Sequence, residues 1–214
     1  MSWLDRTRGD RSAGDKEDDQ DPDDAPVARK SPGLARLFEG LHDDGRHSVL
    51  DLGPADGRQL RLLGRFGRQL RFAGLVPREK DDTEWLESVR RLPAHPRHPY
   101  DVVLLWDLLD RLPAEDRRPV MERLAKITAP DARLYTVVDA SSAATVRPRL
   151  FRMVDLDRVT QVATGPPEPA GKPLLPAHVE RALKPFQVIH AFTLRGGLRE
   201  YVAKKTDRED AAED

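Results

Sequence analysis

The chain of 214 residues has no cysteine. That excludes disulfides, thiolate zinc sites and cysteine nucleophiles. It also lacks a charge excess of either sign: 36 Lys and Arg stand against 37 Asp and Glu, a net charge of −1. A nucleic-acid binder shows a basic excess or stripe, so near-neutrality argues against that class. No apolar run approaches the roughly 20 residues that span a bilayer. Met1 to Gly9 carries charges where a secretory leader needs an apolar stretch. The expectation is a soluble, cytoplasmic protein. What is abundant is charge, at 34 % of residues, and it concentrates partly at the two ends.

Asp5 to Asp24 offers almost nothing to bury, and Asp15 to Asp24 is strongly acidic. Such a segment cannot offset the entropy of ordering. The chain therefore divides into a disordered acidic tail over 1–30, one folded domain over 31–205 and a second disordered tail over 206–214. Solvation is the plain role of these tails, and an acidic docking arm is the alternative.

Ser31 suits a helix N-cap and Pro32 the first helical position. Leu34, Leu37, Phe38 and Leu41 follow at one-face helical spacing. Ser48 to Leu52 reads as a buried strand, Leu60, Leu63 and Phe66 as a second helix stopped by Gly67, and Leu70 to Val76 as a strand. Asp82 to Leu92 reads as a helix with Trp85, Leu86, Val89 and Leu92 inward. Asp101 to Trp106 is the most apolar stretch and reads as a central strand. A helix over Ala114 to Ile127 and a strand over Ala132 to Val138 follow. Ser141 to Pro176 reads as irregular, with one short strand near Val159 to Ala163. Ala177 to Leu183 is a short helix. Gln187 to Leu194 and Leu198 to Lys204 flank Arg195-Gly196-Gly197, a hairpin signal. Strands alternating with helices predict an α/β fold: three layers, α-β-α, around a mostly parallel, doubly wound sheet with an antiparallel edge.

In such sheets ligands bind beyond the carboxyl ends of the strands. Val49-Leu50-Asp51-Leu52-Gly53-Pro54-Ala55-Asp56-Gly57 ends a strand, turns and opens a helix. Glycine at 53 and 57 lets backbone approach a ligand closely. The helix start offers free N–H donors to an anion. Asp51 either holds a cation or orders the turn. An ordinary strand-to-helix turn also wants glycine, and residue 55 is alanine where a dinucleotide fingerprint has its middle glycine. Tyr100 to Pro113 runs a buried strand into a loop with Trp106, Asp107 and Asp110 at its mouth. Core packing of Trp106 and turn-capping by the two aspartates is the simpler reading of that segment. His95 and His98 lie among prolines with no third ligand nearby, so no metal site is expected. Ser141-Ser142 lacks the Gly-x-Ser-x-Gly elbow of hydrolases.

These residues resemble the class I S-adenosylmethionine (SAM)-dependent methyltransferases. Val49-Leu-Asp-Leu-Gly-x-x-x-Gly57 is similar to their first motif. Tyr100 to Pro113 is similar to their fourth-strand motif. Thr128-Ala129-Pro130-Asp131-Ala132-Arg133-Leu134 is similar to their turn into strand five, with Asp131-Ala132 in place of two glycines. The resemblance spans about residues 34 to 205. It implies strand order 3-2-1-4-5-7-6 with strand 7 antiparallel. It implies SAM as cofactor, held by Asp51, Gly53, Ala55, Gly57, Val76 and Trp106. Asp107, then Asp110, become the candidates for orienting or deprotonating the methyl acceptor, which is read as a small molecule.

Two departures stand out. The acidic residue that ends strand two in the family, and binds the ribose, is replaced here by Leu75-Val76-Pro77-Arg78, with Glu79 the nearest acid. The stretch from Pro77 to Tyr100 is too short for helix, strand and helix, so strand three is expected to be missing or vestigial. The expected function is in-line methyl transfer. A fold of this family that has lost catalysis and serves as a binding module is the alternative.

Overall fold

A computed structural model describes residues 28–75, 83–92, 97–141, 143–169 and 173–206, without the side chains of 83–86. In chain order the elements are β1 (Arg29–Lys30), α1 (Pro32–Phe38), β2 (His47–Asp51), α2 (Gly57–Gly64), β3 (Gly67–Phe72), α3 (Thr83–Arg90), β4 (Tyr100–Trp106), α4 (Leu108–Arg111), α5 (Ala114–Ile127), β5 (Thr128–Asp139), β6 (Thr145–Val146), β7 (Arg149–Asp155), β8 (Arg158–Ala163), β9 (Glu168–Pro169), α6 (Pro176–Leu183), β10 (Phe186–Thr193) and β11 (Leu198–Lys205).

Six strands form the main sheet in the order β10-β11-β5-β4-β2-β3. β3, β2, β4 and β5 run parallel, and β11 is antiparallel to both β5 and β10. That is the expected order with strand three absent among the described residues. Apolar side chains above and below the sheet make two cores, which gives the three layers. One core joins α3, α5 and α6 to the sheet through Val89, Val120, Met121, Leu124, Val179 and Leu183. The other joins α1 and α2, through Leu34, Leu37, Phe38 and Leu63, to Phe151, Met153 and Val159.

Local chemistry explains the element ends. Ser31 caps α1 by accepting the Leu34 amide at 3.2 Å. Asp56 caps α2 by accepting the Arg58 and Gln59 amides. At the α2–β3 turn a side chain on Gly67 would meet the Leu63 carbonyl at 3.3 Å. β3 therefore begins at this glycine and ends at Phe72, earlier at both ends than the expected Leu70 to Val76. Beyond Phe72 the chain folds over the end of β2: the Ala73, Gly74 and Leu75 amides donate to the Asp51, Gly53 and Leu52 carbonyls. Asp131 adopts φ 62°, supplying the left-handed turn for which the family uses glycine.

The stretch from Ser141 to Pro176, expected to be irregular apart from one short strand near Val159 to Ala163, holds that strand as β8, but pairs it with β7 in an antiparallel hairpin and adds the short pair β6–β9. Phe151 and Met153 point inward on alternate residues of β7. Arg29 and Lys30, assigned above to the acidic tail, pair with Val159 and Arg158 and make β1 the third strand of that small sheet. The rest of the expected tail, 1–27, lies outside the described residues, as do 207–214. Among the described residues no helix is long and apolar enough to cross a membrane.

Candidate active site

Parallel strands bring their carboxyl ends to one edge of the sheet. Here the ends of β2 and β4, and the segment after β3, meet in a single cleft. Leu52, Gly53, Leu75, Leu105, Trp106 and Asp107 form its floor and walls. Leu108 and Arg111 come from α4, and Leu150 and Phe151 of β7 complete the lining. The cleft encloses about 300 Å³ counting its open mouth.

Asp51 is fully buried beneath this cleft. Its Oδ1 accepts the Gly53 amide at 2.8 Å and the Trp106 indole N–H at 2.7 Å. Its Oδ2 accepts the Gln59 amide side chain at 2.5 Å. Of the two roles open to Asp51, the structure shows it ordering the turn. Burial pushes its carboxyl up to about 6, while the three hydrogen bonds pull it back toward the usual range.

Trp106 ends β4 with φ 55°, a left-handed conformation rare for a bulky side chain. Its indole is nearly parallel to Phe151 with ring centres 6.3 Å apart, and meets Tyr135 edge-on at 5.7 Å. Asp107 faces the cleft and is one-fifth exposed. The Arg111 guanidinium, one helical turn on, binds Asp107 Oδ2 and also donates to the Arg149 carbonyl at 2.5 Å. Burial pushes the Asp107 carboxyl up, and Arg111 opposes that shift.

Asp110 does not line the cleft. It accepts the Asp139 amide at 2.7 Å, behind Asp107. Burial raises it to about 7, the Asp139 amide opposes the rise, and the nearby carboxylates of Asp107 and Asp139 add to it. Asp51, Gly53, Trp106 and Asp107 are thus brought together. Ala55 and Gly57 sit exposed at the start of α2. Val76, like Glu79, lies outside the described residues.

The sequence reading missed Arg111, Gln59, Leu150 and Phe151. Arg111 follows Asp107 at the i, i+4 helical spacing, a signal that was available. Nothing local marks Phe151, because only the tertiary fold brings β7 over the end of β4.

Residues 24–164, more than half of the chain, match the family described as Methyltransferase domain. The chain belongs to that family. Among solved structures, this methyltransferase domain is similar to the 1,6-didemethyltoxoflavin-N1-methyltransferase of Burkholderia thailandensis. That pair has 20 % identity and a TM-score of 0.49 over 82 % of this chain and 77 % of the other. A putative type 11 methyltransferase from Sulfolobus solfataricus is 16 % identical, TM-score 0.49, over 84 % of this chain and 95 % of that one. An S-adenosylmethionine-dependent methyltransferase from Mesorhizobium loti is 12 % identical, TM-score 0.49, over 79 % and 96 % respectively. No curated protein matches the chain.

The methyltransferase domain fits the implied cofactor in position and in chemistry. A glycine turn, the apolar Leu52 and Leu75, and a carboxylate at the far wall converge on one cleft. Among the described residues the Trp106 and Phe151 rings line and narrow that cleft.

Proposed function

We propose that this chain transfers a methyl group from SAM to a small-molecule acceptor seated beside Asp107. One observation carries the reading: in a methyltransferase-family fold, the ends of β2 and β4 and the segment after β3 line a common cleft that also presents a carboxylate. When bound, SAM supplies an electrophilic methyl group on a sulfonium centre. Displacement at such a carbon depends on closeness and alignment more than on strong acid–base groups.

The residues divide the work accordingly. Gly53 and Gly57, with Ala55 between them, offer backbone to the methionine part. Asp51 holds that turn in shape through Gly53 and Gln59. Leu52 and Leu75 supply apolar walls, and Val76 takes the place where the family has its ribose-binding acid. Asp107 orients the acceptor or takes its proton. Asp110, raised to about 7, stands behind it as the second carboxyl. The roof formed by Leu150 and Phe151 favours a small acceptor over a polymer.

Calorimetric titration with SAM and with S-adenosylhomocysteine tests the cofactor. Transfer of labelled methyl groups to a small-molecule library tests the acceptor class. Asp107→Asn should lower turnover about 100-fold or more, as loss of a positioned acid–base group does, and leave cofactor affinity within about twofold. A chain that binds neither SAM nor S-adenosylhomocysteine sinks the proposal.

A further inference from the structure

Gly53 carries no side chain, and its neighbours are close. A Cβ built there would lie 3.1 Å from both Asp51 Oδ1 and the Trp106 indole nitrogen, and 3.2 Å from the indole Cδ1. The indole thus packs against the glycine turn and lines the same cleft. Three things hold that ring: the N–H bond to Asp51 beneath it, the Tyr135 edge beside it, and Phe151 parallel to it. Phe151 belongs to a hairpin that is itself tied down. Arg111 donates to the Arg149 carbonyl, and Arg152 lies 3.7 Å from the Asp56 carboxylate at the start of α2. The Trp106 backbone is left-handed at φ 55°, a costly conformation that the surroundings must enforce.

We propose that Trp106 is a gate: its indole fills the subsite over Gly53, and an adenosyl ligand enters by displacing it from Asp51 and lifting Leu150 and Phe151. This rests on the cofactor reading given above. The closed arrangement lowers apparent affinity by the fraction of molecules that are open. The Trp106–Asp51 hydrogen bond, to a buried carboxylate, is the contact that a single substitution removes with least change of shape.

Trp106→Phe keeps an aromatic ring and deletes the N–H. It should tighten S-adenosylhomocysteine binding about tenfold, the effect of releasing one hydrogen bond to a charged acceptor. Trp106→Ala should bind at least as tightly as Trp106→Phe. An independent readout uses the native indole. The chain has three tryptophans, so a Trp3→Phe/Trp85→Phe background leaves Trp106 as the sole emitter. Its emission should shift to the red on adding S-adenosylhomocysteine, as the ring leaves its buried place. Three results overturn the gate alone: parent binding that Trp106→Phe leaves unchanged, binding that it weakens (which makes the indole a wall of the site), or binding with no change in emission. If the parent and both Trp106 variants fail to bind, the cofactor reading falls and the gate falls with it.

Discussion

Glu200 Oε2 accepts the Gly33 amide at 2.7 Å across a separation of 167 residues. The same carboxylate accepts the Ser31 hydroxyl at 2.6 Å and the Tyr135 hydroxyl at 2.9 Å through Oε1. Glu200 is fully buried, so the start of α1 is stitched to β11 by one carboxylate with three donors.

Glu200→Ala strands those donors in the core. Breaking a buried charged network of this kind should cost about 3 kcal/mol or more. Urea unfolding monitored by circular dichroism checks the value. Glu200→Gln preserves shape and an acceptor oxygen and should lose less.

Gly33→Ala tests the same junction from the other side. In most helices this change gains up to about 1 kcal/mol. Here the new methyl would lie 2.9 Å from Glu200 Cβ, Glu200 Oε2 and Tyr135 Cε2. The expected outcome is a loss of roughly 1–3 kcal/mol, as for other overpacked cores. A gain would show that the junction yields.

Arg111→Ala removes the bond from α4 to the Arg149 carbonyl and leaves Asp107 without that cation. Hydrogen exchange over 149–155 should quicken about tenfold, equivalent to about 1.4 kcal/mol of local opening. Exchange in β4 and β5 should stay within about twofold.

Asp110 should make stability depend on pH. Its carboxyl sits near 7 in the fold against an ordinary value of 3.8. The folded state therefore holds the proton more tightly than the unfolded chain, and stability falls as pH rises between those values. Below about pH 4 both states are protonated and the penalty vanishes; above about pH 7 it is complete. Asn at 110 keeps an acceptor for the Asp139 amide without the charge. Asp110→Asn should shrink the fall in Tm between pH 5 and pH 8 by about 3 °C or more, roughly 1 kcal/mol at this chain length. An unchanged slope in differential scanning calorimetry would place the titration elsewhere.

Most of the fold was legible because its signals are local. Ser31-Pro32 opens α1, the apolar run opens β4, and Gly196 and Gly197 take the positive φ that the β10–β11 turn needs. That strand three is missing or vestigial was expected from chain length, and none stands between β3 and β4 among the described residues. Of the β7–β8 hairpin only β8 was legible; β7 was not, because its inward residues, Phe151 and Met153, are interleaved with arginines and their partners lie on distant elements. At the site, Asp51 and Gly53 could be named from spacing. That the indole of Trp106 reaches back to Asp51 could not, because the bond joins residues 55 apart through a left-handed backbone.

The placement of β11 has a consequence in time. It follows every other strand of the main sheet in sequence, yet it lies inside the sheet, between β5 and β10. A ribosome delivering this chain releases α1, β2, β4 and β5 long before residue 200 emerges. Until then α1 has no Glu200 to meet the Gly33 amide and the Ser31 hydroxyl, and the β5 edge stands open. The domain must wait for its most distant contacts, as high-contact-order folds do. During that wait the exposed β5 edge is where a chaperone, or a neighbouring nascent chain, has its opportunity.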